Sequence, residues 1–115
     1  MDFKKLAENI GLDEEDFLEI VDLFLETTPS DLSKLESAAD EGHFQEVVER
    51  AHSIKGACIS LGFQEMYAMA RDIEMNARKD ILEGAKETVQ SLREHFAQIE
   101  KAVKSHTRSL LDNSG

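Results

Sequence analysis

Apolar side chains recur along most of the chain at alternating steps of three and four residues, the spacing that places one stripe along the face of an α-helix. The stripes predict helices over residues 13–27 and 28–42, a third that ends at Gly62, and two more with stripes over 66–77 and 85–103. No stretch suggests a strand, so the fold is predicted to be all-α. The stripe residues are Phe17, Ile20, Val21, Phe24, Leu25, Leu32, Leu35, Ala39, Phe44, Val47, Ala51, Ile54, Cys58, Leu61, Met66, Ala70, Ile73, Ala77, Ala85, Val89, Leu92, Phe96, Ile99 and Val103.

Capping residues predict where the first two of these helices begin. Asp13 is the expected N-cap of the first. Thr28, Pro29 and Asp31 predict a second start, with Thr at the N-cap, Pro at the first helical position and an acid near the positive end of the helix dipole. Long amphipathic helices with short connections bury their stripes most simply as a bundle. We therefore expect residues 1–115 to form one domain, an antiparallel up-down-up-down four-helix bundle preceded by a short helix near residues 2 to 9.

The charge of the chain narrows the classes of partner. Its 115 residues hold 13 Lys and Arg against 24 Asp and Glu, a formal net charge of −11. Nucleic acids and anionic membranes attract clustered basic side chains, so neither is an expected partner. No apolar run approaches the roughly 18 residues of a membrane span, and no signal peptide is recognisable. With Cys58 as its single cysteine, the chain is expected to be cytoplasmic. Because the helices leave no long apolar stripe over, it is also expected to be a monomer.

Four histidines are candidate reactive side chains: His43, His52, His95 and His106. None is paired with another His, Cys or carboxylate in a recognised metal motif, so no metal site is predicted. A serine hydrolase is equally unsupported, since no serine is flanked by glycines in the manner of a nucleophile elbow.

His52 differs from the other histidines in its surroundings. At about 100° per residue it lies roughly 120° from the apolar stripe of its helix, so its ring is expected to face solvent. Lys55 and Gly56 share that face one turn later. Glycine inside a helix costs about 1 kcal/mol relative to alanine. Because no cap or turn explains Gly56, we infer that another molecule approaches the helix closely there.

These three residues suit phosphoryl transfer. A neutral imidazole has one ring nitrogen with a free lone pair, which can attack phosphorus. The attached phosphoryl group would carry a charge of about −2, which Lys55 can partly neutralise. Gly56 would let the active site of a partner reach the ring of His52.

The segment over residues 51–62, AHSIKGACISLG, resembles the signature of histidine-containing phosphotransfer (HPt) domains. That signature is His, two residues, Lys-Gly, two small residues, and Leu-Gly after two more. The segments over 24–29 and 70–77 and the final apolar helix follow in the family's order, so the resemblance covers nearly the whole chain. Cys58 departs mildly from the pattern, at a position that is usually small.

The resemblance implies a four-helix bundle that carries phosphoryl groups and has no kinase activity of its own. His52 would accept a phosphoryl group from the aspartate of a response-regulator receiver domain, or directly from a sensor histidine kinase. It would then pass the group to another receiver in a two-component phosphorelay. The receiver would bring Mg²⁺ and most of the catalytic groups, so the chain is expected to need no cofactor of its own.

Glu74 is a candidate supporting residue. If the helices on either side of position 63 run antiparallel, positions 52 and 74 lie level, because each is 11 residues away. We hypothesise that Glu74 accepts a hydrogen bond from one nitrogen of His52 and leaves the other free. The alternative is an exposed glutamate paired with Arg71 or Arg78.

A docking face for the receiver is predicted from the residues that share the exposed face of His52. Val48, Ile59 and Phe63 would form its apolar rim, with Gln45 and Glu49 beside them. The competing interpretation is that the apolar members simply widen the core stripe.

Two other functions remain open from the residues alone. One is a helical adaptor bundle that is never phosphorylated and whose His52 is inert. The other is a small hydrolase that uses His52 as a base. Labelling with a phosphoryl donor separates both from phosphotransfer.

Overall fold

Five α-helices make up most of residues 1–113, the part of the chain that the computed structural model describes. They are α1 (Phe3–Asn9), α2 (Glu14–Glu41), α3 (Phe44–Leu61), α4 (Gln64–Arg78) and α5 (Ala85–Asn113). The all-α prediction is confirmed, and α1 lies where a short first helix was expected.

Short connections join the central helices. Gly42 ends α2 and Gly62 ends α3, each with a left-handed backbone at φ of 74° and 77° that glycine adopts without a steric penalty. Only one further residue then precedes the next helix, so consecutive helices must pack closely. At the start of α2, Asp13 is the N-cap, as predicted, and its Oδ1 accepts a hydrogen bond from the backbone N–H of Asp16 at 2.9 Å.

The predicted boundary at Thr28 and Pro29 is wrong, because α2 continues through both residues. Thr28 is 2% exposed, and it continues a buried stripe that runs from Val21 and Phe24 to Leu32. Pro29 is exposed and removes one backbone donor, but its fixed φ is compatible with a helix. Burial of the uninterrupted stripe therefore outweighs the loss of one hydrogen bond.

The helices pack as a ring around a common core. Helix α2 contacts α3 and α5, helix α4 contacts the same two, and α1 contacts α2. Aromatic rings join the elements: Phe63 lies 6.4 Å from Phe17 and 5.4 Å from Phe24 between ring centroids, and Phe24 lies 5.7 Å from Phe96. The result is an all-helical bundle whose core includes the turn between α3 and α4.

From their polar composition, residues 113–115 are predicted to be a frayed end. Asn113 is the last residue of α5, and Ser114 and Gly115 lie outside the described residues. Within residues 1–113, no helix has an apolar stretch long enough to cross a membrane.

Candidate functional site

His52 lies near the middle of α3 with its side chain 64% exposed, as the helical spacing predicted. Its neighbour Ala51 is completely buried, and Ile54 is 1% exposed. The backbone under the imidazole is therefore held by the core while the ring remains accessible. Its Nδ1 lies 2.9 Å from Oε2 of Glu74 on α4.

Glu74 is a buried carboxylate that binds three side chains. It is 3% exposed, in contrast to the exposed glutamate considered as the alternative. Lys55 Nζ lies 2.6 Å from its Oε1, and Arg78 Nη2 donates to its Oε2 at 2.8 Å. Arg71 instead lies 3.8 Å from Asp72. The contact between His52 and Glu74 is the one hypothesised from their equal separation from the turn, and a pair with Arg78 accompanies it.

These donors keep Glu74 ionised. Burial by itself raises the pKa of the carboxyl, but the hydrogen bonds from Lys55, Arg78 and His52 outweigh it and lower the pKa from the ordinary 4.5 to about 2. An ionised carboxylate has no proton to donate and accepts only. The hydrogen bond therefore places a proton on Nδ1 of His52, and Nε2 of a neutral ring carries the free lone pair.

Lys55 and Arg78 lie on either side of this carboxylate. The side chain of Lys55 is 25% exposed, and its ammonium is paired with Glu74, whereas the sequence suggested a mobile cation available to a phosphoryl group. Arg78 was not among the predicted site residues. The sequence signal that could have found it is its position four residues after Glu74, on the same face of α4.

Gly56 has no structural explanation within the described part of the chain. A Cβ added to it would meet no atom within 4 Å outside its own helical turn, and its backbone φ is not left-handed. Neither close packing nor a special conformation requires glycine at this position. Its helical cost of about 1 kcal/mol relative to alanine is therefore not offset by internal packing.

The predicted docking face is only partly exposed. Gln45 and Glu49 are exposed, with Gln45 Nε2 donating to Glu49 Oε1 at 3.3 Å, and Ile59 is 52% exposed. Val48 and Phe63 are 7% and 6% exposed, so the prediction that they form an accessible rim is wrong. Both belong to the hydrophobic core, as the competing interpretation proposed, since the neighbouring helices cover them.

Two other histidines and the cysteine lie away from His52, and each has its own partners or is buried. His95 bridges Glu65 and the carbonyl of Ser91 at 2.9 and 3.0 Å. His106 lies 2.8 Å from a carboxylate oxygen of Glu14. Burial raises the pKa of the Cys58 thiol to about 12, so it is not a thiolate near neutral pH. Among residues 1–113, no three His, Cys, Asp or Glu side chains are grouped as metal ligands.

The lowered pKa of Glu74 predicts an acid-dependent loss of stability. The carboxyl has a lower pKa in the folded state than in the unfolded state, so it favours folding above about pH 4.5, and this contribution is lost as the pH falls toward about 2. One pKa unit corresponds to about 1.4 kcal/mol, so the contribution is at most about 3.5 kcal/mol. Urea unfolding of the native chain and Glu74→Gln should show a stability difference that shrinks over this range. A difference independent of pH would contradict the prediction.

Comparison with known proteins identifies the family of the chain. The family model described as Hpt domain matches residues 19–102. This range includes His52, Lys55, Gly56 and Glu74, all of α3 and α4, and most of α2 and α5. Searches among curated proteins and among solved structures found no significant match. Since the family model matches well over half of the chain, the protein belongs to the Hpt domain family, which carries phosphoryl groups in two-component signalling.

Proposed function

We propose that this chain is a histidine phosphotransfer protein of a two-component phosphorelay and that His52 is the residue phosphorylated. The observation that carries the proposal is an exposed imidazole whose Nδ1 is bound to a buried, ionised carboxylate, Glu74, at 2.9 Å. Within the described residues this contact is the only polar partner of the ring, so Nε2 is free to react.

The proposed reaction exchanges one bond to phosphorus for another. The lone pair of His52 Nε2 attacks the phosphorus of a phospho-aspartate on a response-regulator receiver domain. The P–N bond forms as the P–O bond breaks, and the aspartate carboxylate leaves with the bonding electrons. The proton on Nδ1 stays in place, held by Glu74. Lys55 and Arg78, both paired with Glu74, supply positive charge beside the ring that receives the phosphoryl group.

In this proposal the chain is a phosphoryl carrier without kinase activity. The partner receiver supplies Mg²⁺, and a sensor histidine kinase is the other possible donor.

We further propose that residues 1–115 form one cytoplasmic, monomeric domain that binds neither nucleic acid nor membrane. The finer arrangement of an antiparallel up-down-up-down four-helix bundle is part of the same proposal. Its support is the contact of His52 with Glu74, each 11 residues from Phe63.

The proposed docking surface for the receiver lies on the exposed face of α3. It consists of Gly56, Ile59, Gln45 and Glu49 around His52. Support comes from the open space at Gly56 and from the 52% exposure of Ile59, a large apolar side chain. Neither feature contributes to the packing of the bundle.

Labelling with a radioactive phosphoryl donor tests the proposal. The native chain, incubated with a phosphorylated receiver or an autophosphorylated sensor kinase, should acquire label that is acid-labile and alkali-stable. His52→Gln should acquire none, and His95→Gln, a variant of a histidine on α5, should be labelled as the native chain is. No label from any donor would support an adaptor bundle. Label that persists in His52→Gln would place the reaction at another residue.

A further inference from the structure

The carboxylate behind His52 places negative charge next to the atom that would receive a phosphoryl group. Oε2 of Glu74 lies 2.9 Å from Nδ1. Adding the width of the ring puts phosphorus on Nε2 at roughly 6 Å from that oxygen, a distance at which charges interact strongly enough to matter in water. Because its three donors keep Glu74 ionised, an incoming phosphoryl group meets a charge of the same sign.

The same carboxylate also holds two cations. Lys55 Nζ contacts Oε1 at 2.6 Å, and Arg78 Nη2 contacts Oε2 at 2.8 Å. A cation paired with Glu74 is shared between two anions once the phosphoryl group is attached. Lys55 and Arg78 therefore neutralise the phosphoryl group less than they would in the absence of Glu74.

Glu74 further influences the ring after phosphorylation. A ring that bears phosphorus on Nε2 and keeps its proton on Nδ1 is an imidazolium. The hydrogen bond to an ionised carboxylate favours this positively charged form and offsets part of the repulsion with the phosphoryl group. From this form the leaving group is a neutral imidazole rather than an imidazolate anion, so the P–N bond breaks more readily under attack by a carboxylate.

We propose that Glu74 keeps phosphorylated His52 in a high-energy state and thereby shifts the phosphoryl equilibrium toward the aspartate of the receiver. This rests on the proposed function of His52. In the transfer step a carboxylate oxygen of the receiver attacks phosphorus, and a P–O bond forms as the P–N bond breaks. The electron pair of the P–N bond returns to Nε2, and the proton remains on Nδ1. The receiver with its Mg²⁺ is the only co-reactant.

The substitution Glu74→Gln separates charge from hydrogen bonding, because the amide oxygen can still accept from Nδ1. With a purified receiver domain and Mg²⁺, we expect the equilibrium of label between the two proteins to shift about twofold toward His52 in this variant. That estimate is the repulsion between charges of −1 and −2 at roughly 6 Å, less the attraction between −1 and the +1 of the imidazolium at roughly 4.5 Å, in a water-like dielectric. Chain phosphorylated chemically with phosphoramidate should also lose its label more slowly in the variant.

Two further variants test whether the effect is specific to the charge of Glu74. Glu65→Gln removes a charge from the same helix and a contact with His95 at 2.9 Å, and it should leave the equilibrium unchanged. Arg78→Gln alters a side chain that is 59% exposed, so it should fold, and it should shift the equilibrium toward the receiver.

The results distinguish this inference from the proposed function. A native chain that no donor labels contradicts the proposed function itself. A native chain that is labelled, with an unchanged equilibrium in Glu74→Gln and Arg78→Gln, overturns only the role of Glu74. If Glu74→Gln does not fold, Arg78→Gln decides alone, and a shift toward His52 or no shift overturns the inference.

Discussion

Replacing Gly56 with glutamine should slow phosphoryl exchange with a receiver at least about a hundredfold while the bundle becomes slightly more stable. A Cβ at this position meets nothing within 4 Å outside its own helical turn, so the larger side chain is accommodated in the free protein. Glutamine is also a better helix former than glycine, by several tenths of a kcal/mol. In a complex, however, its side chain would occupy the surface one turn from His52 that a receiver must approach. A displacement of even 1 Å between reacting groups can cost about a hundredfold in rate.

Phosphorylation by a small donor shows whether Gly56→Gln blocks docking of the receiver or the reaction of His52 itself. Phosphoramidate is small enough to reach Nε2 past a longer side chain, so its reaction with His52 should be nearly the same in Gly56→Gln and the native chain. Ser105→Gln, at an exposed position on α5, is the matched control and should exchange normally. Normal exchange of Gly56→Gln with the receiver would show that glycine is not required for docking. A thermal midpoint that falls would show an internal role that the packing does not reveal.

A glutamate at Ile59 and a glutamate at Phe63 should differ in their effect on the stability of the bundle. The Ile59 side chain is 52% exposed, so Ile59→Glu should leave the thermal midpoint nearly unchanged and weaken exchange with the receiver. Phe63 is 6% exposed and lies within 6.4 Å of the rings of Phe17 and Phe24. A carboxylate there would lose these contacts and bury an unpaired charge, at a cost of roughly 4 kcal/mol or more. Phe63→Glu should therefore abolish cooperative unfolding.

Circular dichroism during thermal unfolding and exchange assays with the receiver measure both effects. Phe63→Leu keeps an apolar side chain at the turn and should remain folded and active, with a smaller loss of stability. If Ile59→Glu unfolds, this residue belongs to the core. If it is stable and exchanges at the native rate, the receiver does not dock at Ile59.

The arrangement at Glu74 shows how burial and charge are reconciled at this site. A carboxylate that is 3% exposed is costly to ionise unless its oxygens are paired. Lys55, Arg78 and His52 supply three donors from two helices, so the group remains an anion inside the bundle. The carboxylate in turn accepts from Nδ1 and orients the imidazole, which links the packing of α3 against α4 to the reactivity proposed for His52.

Much of the helical organisation could be predicted from spacing. The stripe in α3 placed His52 on the solvent side, and the N-cap at Asp13 followed from its type and position. The helix start predicted at Thr28 and Pro29 is wrong because the buried stripe of α2 continues through the local start pattern. Thr28 completes that stripe with its buried side chain, a role that follows only from the apolar residues on both sides of it.

The docking face was harder to predict because positions at the edge of a stripe can be covered by a neighbouring helix or left open. Val48 and Ile59 both flank the stripe of α3, yet the first is 7% exposed and the second 52%. Helical spacing specifies the direction in which a side chain points along its own helix. It does not specify how far the next helix extends over it.

By itself the sequence determined the helical stripes, the accessible histidine and the Lys55-Gly56 pair beside it, because each depends on residues within a few turns of one helix. Only the tertiary structure decided that Glu74 is buried, that Lys55 and Arg78 share its carboxylate with His52, and that Phe63 belongs to the core. Apart from the pair of Arg78 with Glu74, which lie four residues apart on one helix, these properties depend on contacts between residues about 20 or more apart in the chain, or on the surface that another helix covers. The periodicity of apolar residues within one helix contains no information about contacts between helices. The chemistry proposed for His52 depends on both the pattern within α3 and its contacts with α4.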